Sequence, residues 1–216
     1  CINQKTDLSF EIIVVDDGST DNTKNILSKF SDHKKVKIFF RKNSGVEKSS
    51  NFAIKQSIGA YISRIDADDF VGSDFLEKNL KIIKESDASF IYSNYNAVDS
   101  QENVIWASDL PDFSKDEIIE RGDFLATGTI YRKSEILEIG SYNEKFKNCG
   151  LENYELVLKL INAGKSGVLN KDNLFSYRIH DSNMSTERRD SIIEYGKNMI
   201  KKLGFNEYKT NKNHPY

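Results

Sequence analysis

Two stretches decide the fold: EIIVVDDGST at residues 11–20 and AYISRIDADD at residues 60–69. Each starts as a short apolar, β-branched run and ends in aspartates. The run over 11–15 has the pattern of a strand buried on both faces. Its turn cluster, Asp16-Asp17-Gly18-Ser19-Thr20, leads into a helix with Ile26, Leu27 and Phe30 on one side, capped by Ser19, Thr20 or Asp21. A second strand is predicted at 36–40 and a turn at Asn43-Ser44-Gly45. A helix over 46–57 then turns Phe52, Ile54 and Ile58 inward and stops at Gly59. The third strand, 60–65, runs directly into Asp66-Ala67-Asp68-Asp69. Ser73 caps a helix carrying Phe75, Leu76, Leu80 and Ile83, and a further strand follows at 89–93.

Strand and helix alternate with short connections, which predicts an α/β fold with a mostly parallel sheet and helices on both faces. Ligands of such sheets collect at the carboxyl ends of the strands. Both acidic clusters lie there, so they face one crevice. The second half is less regular. It reads as a hairpin over 96–108, a helix over 115–121, a strand over 129–132 and a helical turn over 135–139. An amphipathic helix follows over 153–163, then a last helix over 187–203 that is basic on its outer side, and a polar tail.

Composition narrows the classes. With 216 residues, one domain of ordinary size is expected. Lys and Arg total 31 against 33 acids, a net charge of -2, which lacks the basic footprint of a nucleic-acid binder. No apolar run approaches the roughly 18–20 residues of a membrane span. The two cysteines, Cys1 and Cys149, build neither a disulfide framework nor a four-ligand zinc site, and a cytoplasmic setting is the default.

The pair Asp66 and Asp68, behind a buried strand, suits a hard divalent cation that carries substrate phosphates. Its alternative is a capped loop whose carboxylates accept from backbone amides, the preferred reading for Asp69 and Asp74. Three aspartates in four residues repel one another, and a bound cation relieves that repulsion. Asp16-Asp17 faces the same choice between turn chemistry and a carboxylate that accepts from a nucleoside.

VVDDGSTDNT at 14–23 and RKNSGVEKSSNFAIKQSIGAYISRIDADD at 41–69 resemble the nucleotide-binding half of family 2 glycosyltransferases of the GT-A, Rossmann-like fold. GTIYRKSEILEIGSYNEKF, LENYELVLKLINAG and YRIHDSNMS resemble that family's acceptor half, in the same order. The resemblance covers about residues 7–186, with a nucleotide-sugar half at about 1–95, an acceptor half at about 96–186, and a C-terminal helix and tail at 187–216. It implies that Asp16 or Asp17 contacts the base of a nucleotide-sugar, that Asp66 approaches the ribose, and that Asp68 holds Mg²⁺ or Mn²⁺ on the diphosphate. It also implies His180 as a further metal or phosphate ligand. Arg178 reads as a strand-face charge in preference to a phosphate clamp. The family begins with a strand and helix that this sequence lacks, so a first strand and most of a first helix are expected to be missing.

Two departures stand out. Where the family has Ala-Arg-Asn, this chain has Ser49-Ser50-Asn51, and Lys48 is only an exposed helix lysine. Where the family has Glu-Asp with the Asp as catalytic base, this chain has Glu152-Asn153. Glu152 is then the preferred base and Glu155 the second choice, although Glu155 also suits an i,i+4 pair with Lys159. The implied reaction is inverting transfer of a sugar from a nucleotide-sugar, a UDP-sugar foremost, to a saccharide or lipid-linked acceptor of bacterial surface glycan synthesis. A relative with weak turnover and a nucleotidyltransferase are the alternatives. No nucleic-acid partner is expected. A peripheral contact of the last helix with the inner face of a membrane is the lesser reading beside a solvated face.

Overall fold

In the computed structural model, residues 1–125, 127–181, 183 and 187–205 are described. The tail from 206 on lies outside them, as do residues 182, 184 and 185 of the YRIHDSNMS motif and residue 186 after it. The elements run β1 Ile12–Asp16, α1 Thr23–Ser28, β2 Val36–Phe40, α2 Val46–Gln56, β3 Tyr61–Ser63, β4 Phe70–Val71 and α3 Phe75–Lys84. They continue as β5 Phe90–Val98, β6 Val104–Ala107, α4 Lys115–Arg121, β7 Ile130–Arg132, α5 Lys133–Glu138, α6 Glu152–Asn162, β8 Gly167–Arg178 and α7 Arg189–Lys202. Among the described residues no helix is long and apolar enough to cross a membrane.

The strands form a parallel pair, β1-β2, and a six-stranded sheet ordered β3-β7-β5-β8-β4, with β6 added on β5. The α/β class with helices on both faces holds, but most pairings are antiparallel. Among the described residues only β1-β2 and β5-β8 pair in parallel. The reason is β7, which enters between β3 and β5 and runs against both. β3 and β5 therefore keep the common direction that a strand-helix-strand unit demands, without being neighbours. Among the described residues β1 and β3 each have one edge without a partner strand.

The core confirms two covered faces. Phe90, Tyr92 and Tyr131 point toward Leu156, Val157, Leu160, Ile192 and Met199, under α6 and α7. Ile91 and Ile130 point the other way, against Phe75, Ile83 and Leu174 beneath α3. This is the period-two alternation of a strand covered on both sides. α6 is buried almost all round, which places its first residue, Glu152, deep in the molecule. Each fully buried aliphatic side chain there contributes roughly 1.5–3 kcal/mol of transfer free energy.

Several local expectations change. β1 is half-buried at four of its five positions, not enclosed on both faces. α1 buries nothing, and Ile26, Phe30 and Ile58 are exposed, the last at 83%. The helix caps are Asn22 and Asp74, neither by a side-chain hydrogen bond; Asp21 instead accepts from the Thr23 amide at 3.0 Å. Asp74 pairs with Lys78 at 2.9 Å. The long strand β8 has no counterpart among the predicted elements. Its polar centre, Asn170-Lys171-Asp172-Asn173, masks the alternation, and the ladder with β5 shifts register there.

Candidate active site

The first cluster is wired into the scaffold. Asp17 Oδ1 accepts from the Ser44 amide at 3.0 Å, the Ser44 hydroxyl at 3.1 Å and the Ser49 hydroxyl at 2.7 Å, while Oδ2 accepts from the Gly45 amide at 2.7 Å. Burial works against the charge, but these donors win and hold the carboxyl below its ordinary range. Gly45, at φ +98, allows the turn that brings the amides together. Asp16 is buried at the end of β1 and accepts from the Ser19 amide at 2.9 Å. Of the two, Asp16 keeps carboxylate capacity for a ligand and Asp17 braces β1 to α2.

The segment Ser49-Ser50-Asn51 serves the same scaffold at its two ends. Ser49 holds Asp17. Asn51 donates to the Tyr142 carbonyl at 2.9 Å and accepts from the Tyr142 amide at 3.0 Å, tying α2 to the segment before α6. Lys48 is exposed, as expected.

The second cluster is open. Asp68 is exposed, and its Oδ2 lies 3.0 Å from His180 Nε2. The two predicted metal residues are thus brought together from elements 112 positions apart in the chain. Their separation matches two adjacent ligands on an octahedral cation with bonds near 2.1 Å, and an oxygen-plus-imidazole set suits Mn²⁺ as well as Mg²⁺. Behind them Asp69 accepts from the Arg178 amide at 2.9 Å and the Thr127 hydroxyl at 3.1 Å. Burial, and then the neighbouring aspartates, push its carboxyl up to about 7. Arg178 is a fastener: its guanidinium donates to the Asp68 carbonyl at 2.9 Å and to the Asp99 and Ser100 carbonyls at 3.3 Å.

Arg64, which no sequence motif singles out, joins the two halves. It holds both oxygens of Asp66, at 2.8 and 2.9 Å, and Glu152 Oε1 at 2.8 Å. Burial opposes its charge, yet Asp66 and Glu152 keep it firmly protonated. The Tyr142 ring centroid is 5.9 Å from the guanidinium, and its hydroxyl donates to Asn153 Oδ1 at 3.0 Å. Asp66 and Glu152 therefore share one partly buried cation, and Tyr142 links Asn153 to the same group. The sequence signal was a lone arginine inside the apolar run YISRI.

Glu155 is not available as a base. Asn143 donates to its Oε1 at 3.0 Å and Tyr195 to its Oε2 at 2.5 Å, while Lys159 reaches the Ser141 carbonyl at 2.5 Å in place of the expected i,i+4 pair. Glu47, Cys149 and Glu152 place ligand atoms within 4.8 Å of one another. Both oxygens of Glu47 are taken by the Asn148 and Cys149 amides, at 2.9 and 2.8 Å, so this group is a brace between α2 and the segment before α6.

One acidic cluster ends β1 and the other follows β3, where Arg64 ties Asp66 to the first residue of α6. The family described as Glycosyl transferase family 2 matches residues 1–143. The chain belongs to that family. Among curated family 2 relatives, chondroitin synthase of Pasteurella multocida is 29% identical over 88% of this chain, which spans 20% of that protein. An Escherichia coli protein, the UDP-Glc:alpha-D-GlcNAc-diphosphoundecaprenol beta-1,3-glucosyltransferase WfaP, is 28% identical over 91% of the chain and 76% of its own length. The solved structure of S. aureus TarS 1-349 in complex with UDP superposes with a TM-score of 0.69 at 20% identity, covering 98% of this chain and 61% of that one. That likeness shows the GT-A fold.

Proposed function

We propose that this family 2 chain transfers a sugar from a nucleotide-sugar, a UDP-sugar foremost, to a hydroxyl of a surface-glycan or lipid-linked saccharide acceptor, with inversion and with Mg²⁺ or Mn²⁺. The observation that carries the reading is the meeting of exposed Asp68 with His180, one aspartate away from Asp66. Support for the donor comes from the UDP complex of TarS and the UDP-Glc in WfaP's name; support for the acceptor comes from the diphosphoundecaprenol of WfaP and the polymer of chondroitin synthase.

In this reading Asp16 accepts from the base, Asp66 from a ribose hydroxyl, and Asp68 with His180 holds the cation. Bound there, the cation supplies charge for the departing diphosphate. The chain's own task is to orient the acceptor hydroxyl behind the anomeric carbon and to take its proton with a carboxylate near Arg64; Glu152 is the expected one, with Asn153 fixed beside it by Tyr142. The reaction belongs on the cytoplasmic side, where nucleotide-sugars are made.

The test is calorimetric titration of UDP with and without Mn²⁺, beside Asp68→Ala. Metal-dependent binding lost on substitution is the expected result. A folded protein that binds no UDP, GDP or dTDP under any condition would overturn the reading.

A further inference from the structure

α2, the segment before α6, α6 itself and α7 border an open cavity of about 980 Å³, a volume in the range of ligand sites. Asp16, Asp66, Asp68, His180 and Glu152 all lie outside its wall. Its charge is unlike that of the molecule. Lys48 and Lys55 of α2, Lys145, Lys159 of α6 and Lys202 of α7 line it against Glu144 and Glu155, in a chain whose net charge is -2.

Both glutamates are engaged elsewhere. Asn51 donates to Glu144 Oε1 at 2.8 Å, and Glu155 accepts from Asn143 and Tyr195. Lys159 gives one proton to the Ser141 carbonyl and keeps two. Among the described residues, the ammonium groups of Lys48, Lys55, Lys145 and Lys202 have no hydrogen-bond or ion-pair partner. Like charges that converge on a concave wall repel one another, and an anion relieves that repulsion. Lys48 and Lys55 stand seven residues apart on one face of α2, roughly 10 Å along its axis, so a single carboxylate or phosphate cannot meet both. The ligand therefore carries at least two anionic groups. The rest of the wall suits sugar between them. Phe146 is 44% exposed and meets Tyr195 edge-on at 4.8 Å, and an open aromatic face packs against the C–H face of a sugar ring. The Asn198 amide donates to the Glu194 carbonyl of its own helix and keeps its oxygen for a hydroxyl.

Resting on the saccharide acceptor of the transfer proposed above, we propose that this cavity holds an acidic oligosaccharide, a stretch of the acceptor chain set back from the reacting hydroxyl. Carboxylates or phosphates along that chain meet Lys48, Lys55, Lys145 and Lys202 in charge-assisted hydrogen bonds, and Phe146 packs on a sugar ring between them. Tyr142 marks how near the two sites come. It lines the cavity, and its hydroxyl donates to Asn153 Oδ1 in the first turn of α6.

The test is calorimetric titration of galacturonan, hyaluronan and chondroitin sulfate fragments four sugars long, beside neutral N-acetylchitotetraose and inorganic tripolyphosphate. At least one acidic fragment is expected to bind, about tenfold or more tightly than the neutral one. Lys48→Gln with Lys55→Gln should weaken that binding about tenfold or more. Lys81→Gln with Lys84→Gln, at exposed positions of α3, should change it less than about twofold. Phe146→Ala should weaken the acidic fragment about threefold or more and leave tripolyphosphate unaffected. Every variant should keep wild-type UDP affinity, which shows that it folds. The assignment is overturned if a protein that binds UDP binds no acidic fragment, or binds the neutral one as tightly. It also falls if the α3 pair weakens binding as much as the α2 pair, if Phe146→Ala has no effect, or if tripolyphosphate alone binds. Absence of UDP binding would instead strike the transfer reading itself.

Discussion

The two acidic clusters look alike in sequence and differ in what surrounds them. Asp16-Asp17 is short of solvent and rich in donors: amides and hydroxyls from the turn before α2 converge on Asp17. Asp66 to Asp69 is poor in backbone donors at its outer member, where among the described residues the Asp68 carboxylate meets His180. Asp17 spends its charge on the fold, whereas Asp68 is left with one partner. The contrast teaches that a carboxylate's role is set by the donors that local turns bring to it, not by its place after a strand.

Substitutions should separate the two roles. The largest effect belongs to Asp17→Ala, which leaves amides and hydroxyls of a packed turn unpaired and should cost about 3 kcal/mol of stability in urea unfolding. Its pH dependence has a definite sign. Asp17 is held below the ordinary aspartate value of 3.8, so its stabilisation is fully present above that value and is lost as pH falls through the lower folded value. The stability gap between wild type and Asp17→Asn should therefore narrow in that acid window and stay constant above it.

Asp68→Ala should do the opposite: a loss of about 100-fold in metal-dependent UDP affinity, or ~2.7 kcal/mol, with the urea midpoint hardly moved. A large stability loss at Asp68, or an intact metal response, would erase the contrast. Ser49→Ala removes one donor from Asp17 and should cost about 1 kcal/mol without touching UDP affinity. Lys48→Ala, on the exposed side of α2, should change UDP affinity less than about twofold, since surface charges contribute little.

Much of this was legible from residue patterns. The alternation of apolar runs with helix-period segments located β1, β2, α2, β3, α3 and β5, with an acidic cluster at the end of β1 and another after β3. The pairing was not legible, because β7 is three residues long and nothing in Ile130–Arg132 announces which strands it separates. Ile26, Phe30 and Ile58 have the spacing of buried positions, yet the period of a sequence shows which face is apolar, not whether anything covers it. Asp68 with His180 was found by family resemblance. Arg64 was not, since it stands in no spaced motif; it is defined by a residue distant in the chain, Glu152.

Arg64 has a consequence for the order of events. One guanidinium serves a carboxylate on the donor side and one on the acceptor side, so the two are linked ligands of a single cation. In the proposed transfer, a ribose hydroxyl that draws Asp66 away leaves Arg64 more fully to Glu152, and by reciprocity a change of charge at Glu152 is felt at Asp66. Under that proposal, filling the donor site resets the acceptor site before an acceptor arrives, the relationship that a sequential enzyme needs if it is to keep water from a donor whose acceptor has not yet come.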